Sequence, residues 1–143
     1  MQSIIAGFLS GQVKITKLAD HTTAATDPVE SAVLDTDGFD AVLFLTSFGA
    51  ADPGNLITVH GAAASGGPFA ATAATASAGA SDEDVLIDLH LPTARYLKLV
   101  ATRGASTTLE SVWAIQYHPR KSGSTNVVAG TSAVGQFIGP PLA

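Results

Sequence analysis

Apolar and polar residues alternate with a period of two along most of this chain, the pattern of strands that bury one face, and Gly, Pro, Asn and Asp punctuate the runs. Residues 13–18 make the first such run and residues 31–35 the second. Asp37-Gly38 then offers a tight hairpin turn into the apolar run 41–48, because the pair tolerates positive φ. That run is apolar on both faces, which predicts a central strand covered on two sides. Asp52-Pro53-Gly54-Asn55 turns the chain into a shorter strand at 56–60. Residues 62–80 are almost all Ala, Gly, Ser and Thr and read as a loop. Val85, Ile87 and Leu89 alternate with Leu86, Asp88 and His90, and Leu91-Pro92-Thr93 ends that strand. In residues 96–102, Leu97, Leu99 and Ala101 share one face. After a turn at 104–107, residues 112–117 place Trp113, Ile115 and Tyr117 on one face as a large buried group, and His118-Pro119 ends the strand because proline cannot donate to a ladder.

No window of a dozen residues has the three-and-four spacing of an amphipathic helix; only the first ten residues leave room for a short one. The expected fold is all-β, a single antiparallel β-sandwich of jelly-roll-like type. Its expected organisation is an apolar N-terminal segment at 1–12, the sandwich at 13–121 and an extended C-terminal arm at 122–143.

Composition narrows the function more than the fold. With 143 residues, one domain with its own core is expected, and the absence of cysteine excludes disulfides, thiolate metal sites and a cysteine nucleophile. A net charge of −5 argues against a surface built to neutralise phosphates, so nucleic acid is not an expected partner. Charged residues make up 13% of the chain, about half the usual share of roughly 25%. None precedes Lys14, none lies between Asp52 and Asp82, and none follows Lys121. Long uncharged stretches are best accounted for if other protein surfaces cover them. Residues 1–9 lack a basic start and are too short to cross a bilayer, so neither a signal peptide nor a membrane partner is expected.

Candidate chemistry is sparse. The nucleophile-elbow, phosphate-loop, dinucleotide and paired-histidine zinc motifs are all missing. His21, His60, His90 and His118 are far apart in sequence, although His60 and His90 would meet if their strands were neighbours. Asp82-Glu83-Asp84 carries the hard oxygen ligands that Ca²⁺ uses, yet three adjacent acids entering a strand cannot all point at one ion, so a solvated loop edge is expected. Gly66-Gly67-Pro68 is followed by no lysine and reads as a turn. Trp113 and Tyr117 have the rings of a sugar-stacking platform but share a face with Ile115, which favours the core. The expectation is a non-enzymatic protein with no catalytic, cofactor or metal site.

The residues expected to make contacts lie at the two ends. Residues 122–143 carry no charge, many small residues and apolar anchors at Val127, Val128, Val134, Phe137, Ile138 and Leu142. Disordered tails are usually polar and charged, whereas this composition suits an arm laid along a neighbour, with four or five anchors contributing several kcal/mol, on the order of 25 cal/mol per Å² before the cost of ordering. Ile4, Ile5, Phe8, Val127, Val128, Phe137 and Ile138 are the candidate protein-interaction residues.

Residues 92–102, with Arg95-Tyr96 opening an alternating strand, resemble the late strand of discoidin-like and galactose-binding-like jelly rolls. A wider stretch, from Asp37-Gly38-Phe39-Asp40 to Ile115-Gln116-Tyr117-His118-Pro119-Arg120-Lys121, resembles small β-sandwich virion proteins of tailed bacteriophages. Those virion proteins resemble each other, and this stretch, in the order of a central apolar strand, a small-residue loop, an Arg-Tyr strand and a closing strand with a basic end. The resemblance implies a capsid decoration (cement) protein that binds the major capsid protein, associates with itself as a homotrimer, and stabilises the head by bridging neighbouring capsid subunits. It would be assembled in the host cytoplasm and reside on the capsid surface. A carbohydrate-binding or adhesion module, and a phage neck or tail protein, are the alternatives.

Overall fold

The computed structural model describes residues 12–120, and there the alternating pattern becomes eleven strands. In chain order they are β1 (Lys14–Ala19), β2 (Thr22–Ala25), β3 (Val29–Glu30), β4 (Leu34–Asp35), β5 (Phe39–Ser47), β6 (Leu56–Ala62), β7 (Ala70–Ser77), β8 (Asp84–His90), β9 (Tyr96–Thr102), β10 (Thr107–Leu109) and β11 (Val112–Pro119). The first sheet has the order β1-β11-β5-β8. The second has the order β3-β9-β6-β7, with β4 also paired to β9, and β2 and β10 form a small ribbon. Every pairing is antiparallel.

The sheets pack face to face because each has one predominantly apolar side, with Thr46 and Gln116 as buried polar residues on that of the first. Leu18, Val42, Phe44, Phe48, Val85, Ile87, Val112 and Ala114 point in from the first sheet or its margin. Leu34, Ile57, Val59, Leu97, Leu99 and Ala101 meet them from the second. Full burial of side chains of this kind stabilises by about 1.5–3 kcal/mol each, which makes this layer the main source of stability.

Two of the buried polar side chains tie loops to the sandwich. Asn55 is fully buried; its Nδ2 donates to the Ala50 carbonyl at 3.0 Å, and its Oδ1 accepts from the Gly104 amide at 3.0 Å. This joins the turn before β6 to the turn after β9, whose backbones touch: a Cβ on Gly104 would stand 2.6 Å from the Gly54 Cα. Arg103 is also buried. Its Nε donates to the Asp27 carbonyl at 2.8 Å, and its Nη1 donates to the carbonyls of Thr23 at 2.8 Å and Thr107 at 2.9 Å. One guanidinium thus holds the β2–β10 ribbon and the β2–β3 loop against the end of β9.

Several sequence expectations are corrected. In place of one strand at 31–35 the chain makes two short pairings with β9, by β3 before that run and by β4 at its end, and Ser31 between them turns inward: its amide donates to the Leu99 carbonyl and its Oγ accepts from the Leu99 amide, both at 2.9 Å. Asp37-Gly38 does not close a hairpin. With Gly38 at φ 89°, it carries the chain from β4 in the second sheet to β5 in the first. The small-residue stretch holds β7, an eight-residue strand paired with β6. Thr72 Oγ1 donates to the Val59 carbonyl at 2.8 Å and Thr75 Oγ1 to the Ile57 carbonyl at 3.0 Å, so backbone and hydroxyl bonds supply what alanine lacks in strand preference.

Ion pairs fasten the crossing from β4 to β5. Arg95 grips Asp35 with two bonds, at 2.9 and 3.0 Å, and Arg120 Nε meets Asp40 Oδ1 at 2.6 Å. The Arg95 bond lowers the Asp35 carboxyl below its usual value, and Lys98 and Lys17 do the same to Glu30 and Asp20. A carboxyl lowered on folding contributes stability above its unfolded value near 4, and that contribution is lost as pH falls through the folded value. The melting temperature should therefore drop by several degrees between about pH 5 and pH 2.5, read by circular dichroism, and Asp35→Asn should flatten part of that fall. A curve equally steep in the variant would remove Asp35 from the account.

Candidate interaction surface

The sheet register decides which side chains point away from the core of the first sheet. Lys17, Trp113, Leu45 and Leu86 form one row across its four strands, and Ile15, Ile115, Leu43 and Asp88 form the next. Tyr117, Ala41 and His90 form a third row over three strands. Since Val42, Phe44, Ala114 and Ile87 are the inward set, all three rows lie on the outer face.

The middle of this face is apolar: Leu43, Leu45 and Ile115 are half-buried by their neighbours alone, while Ile15, Leu86 and Trp113 are 45, 60 and 37% exposed. Polar groups occupy its margins. The Lys17 ammonium lies 5.9 Å from the Trp113 ring and pairs with Asp20 at 2.7 Å, so its stem shields part of the indole. Tyr117 donates its hydroxyl to Asp88, and that bond raises the phenol above its ordinary value. His90 and His118 meet edge to face, with ring centroids 5.7 Å apart.

The outer face of the second sheet is different in kind. Its rows read Thr75, Thr58, Val100 and Glu30, then Ala71, His60 and Lys98. Thr58 and Thr75 hydroxyls meet at 3.3 Å, and Lys98 pairs with Glu30 at 2.6 Å while lying over the Phe69 ring. One side of the sandwich is thus finished with hydroxyls and ion pairs, and the other with large hydrocarbon side chains. That contrast makes the apolar side the candidate interaction surface among the described residues.

This corrects two expectations. Trp113, Ile115 and Tyr117 do share a face, but it is the outer one; the buried face of β11 is Val112, Ala114 and Gln116. The strand carries apolar residues at both parities, and pairing with β5 selects the smaller set for the interior because Phe44 and Phe48 fill the space there. Likewise β5 is covered by protein on one side among the described residues, and its second apolar side is the face just described. His60 and His90 do not meet, since β6 and β8 belong to different sheets. Asp82, Glu83 and Asp84 form an exposed edge leading into β8, which Asp84 opens, and among the described residues no three acidic or histidine side chains converge as metal ligands.

The contact residues expected from sequence, Ile4, Ile5, Phe8, Val127, Val128, Phe137 and Ile138, lie outside the described residues. What the structure does fix is where their segments attach. Lys14 opens β1 opposite Gln116 near the end of β11, so the N-terminal and C-terminal segments leave from the same end of the first sheet. Two small clefts also open among the described residues. One of about 180 Å³ lies between the sheets beside Val59, Leu89, Pro92 and Leu97, and one of about 220 Å³ is bordered by Asp37, Arg95 and Arg120. Both are below the roughly 300–1,000 Å³ of small-molecule sites.

Compared with known proteins, the chain matches no family, and neither a curated protein nor a solved structure is detectably similar to it.

Proposed function

We propose that this chain is a structural virion protein of the capsid decoration type, which binds the major capsid protein of a tailed-phage head and its own copies, as a homotrimer, and stabilises the head by bridging neighbouring subunits. The observation that carries the reading is the apolar outer face of the first sheet, set against the polar outer face of the second. Covering a side chain such as Leu86 or Trp113 contributes on the order of 1–2 kcal/mol, so a few such contacts repeated around a shell add up without tight binding at any one of them. The uncharged segments at both ends leave beside that face and extend the contact.

The test is the solution mass of the purified chain by light scattering, together with its sedimentation with phage heads assembled without it. The native chain should be trimeric and should travel with the heads. Ile15→Lys with Leu86→Lys, which leaves the buried layer untouched, should shift the mass to that of a monomer and abolish cosedimentation, with a melting temperature within a few degrees of native. A native chain that stays monomeric at high concentration and remains in the supernatant overturns the reading.

A further inference from the structure

We infer that the outer face of the first sheet is the seat for two residues of a neighbouring copy of this chain, Val134 and Ile138, which share one side of an extended segment. The inference rests on the self-association proposed above and names the surface and the segment that would make it.

The face is too small to hold two copies together by itself. Four strands about 4.8 Å apart, over three rows about 6.8 Å apart, give on the order of 400 Å², roughly half of the 800 Å² per partner that stable interfaces bury. A strap that lies along the rows adds the missing contact. Val134 to Ile138 spans about 13 Å when extended, which matches the distance across three rows. Charge agrees as well: nothing after Lys121 is charged, and Leu43, Leu45, Ile115 and Trp113 offer no charge in the middle of the face.

The chain's course favours a neighbour over the sheet's own strap. Arg120 is fastened where β11 ends, its amide donating to the Gly38 carbonyl at 2.9 Å and its side chain to Asp40, and β11 there heads off the end of the sheet. A return onto the same sheet needs a turn of about 2–5 residues. Residues 121–133 intervene instead, enough to reach about 40 Å when extended, against about 26 Å for the eight residues of β11. A spacer of that length suits travel between subunits.

The absence of cysteine in the chain makes the test direct. Full-length chains carrying Leu86→Cys and, separately, Gln136→Cys are mixed and oxidised, with Ile15→Cys as a second probe on the face and Thr75→Cys on the polar face as the control. Mass is measured by light scattering in parallel. The expected result is a disulfide between two different chains for both face probes, at least ten-fold above the control. Closure of Leu86→Cys with Gln136→Cys only when both are on one chain assigns the seat to the chain's own segment and overturns the inference. An oligomer whose face probes link no better than the control overturns it too, while leaving self-association standing; a monomer without links removes both.

Discussion

Replacing Arg103 by methionine should cost this domain about 3–4 kcal/mol, and replacing it by lysine not much less. Three backbone carbonyls from three segments converge on this one guanidinium. Hydrogen bonds from a charged donor are worth about 1.5–3 kcal/mol each, and removing the fork takes a donor from all three carbonyls at once. Methionine refills the volume but donates nothing. Lysine keeps the charge, yet its single ammonium cannot reproduce the spread of Nε and Nη1 around three acceptors. Against a typical total of about 5–15 kcal/mol, either loss is large. Urea denaturation should show the midpoint falling steeply in both variants. A lysine variant within about 0.5 kcal/mol of native would mean that charge alone suffices there.

The second large effect separates two adjacent residues of one strand. Phe44→Ala removes a side chain with no exposed surface from the centre of the sandwich and should destabilise by about 3–5 kcal/mol. Leu43→Ala, one position away and facing out, should cost the isolated domain much less, about 1 kcal/mol, because its side chain lies outside the packed layer and is already partly in water. Its penalty should appear instead in assembly, as a lower oligomer mass at a given concentration. Equal losses of folding stability in the two variants would contradict the assignment of inner and outer faces.

That contrast also explains how much the sequence could reveal. Where one parity is apolar and the other polar, as in Leu97, Leu99 and Ala101 of β9, both strand and buried face were legible, and all three are buried as expected. In β5 and β11 both parities are apolar, so the strands were visible but not their inner sides; only the pairing with partners distant in sequence decides that. Strand β7 was hidden because alanine and threonine in a small-residue run carry no hydrophobic alternation, and its place comes from hydrogen bonds to β6. The candidate surface was half legible. A run that is apolar on both faces signals a second cover, but Ile15, Leu43, Leu86 and Ile115 come from four strands, and no local pattern says that they meet. Arg103 gave no signal either, since its partners are carbonyls of residues that any side chain would supply.

The unlike outer coats of the two sheets have a consequence for how such a molecule sits. A sandwich greasy on one broad side and hydroxylated on the other has a built-in up and down. Copies laid by Trp113, Leu45 and Leu86 onto one common support would all turn Thr58, Thr75, His60 and Lys98 the same way, and a layer of them would present a single, uniform exterior to water. Orientation is then fixed by wetting, before any specific contact forms.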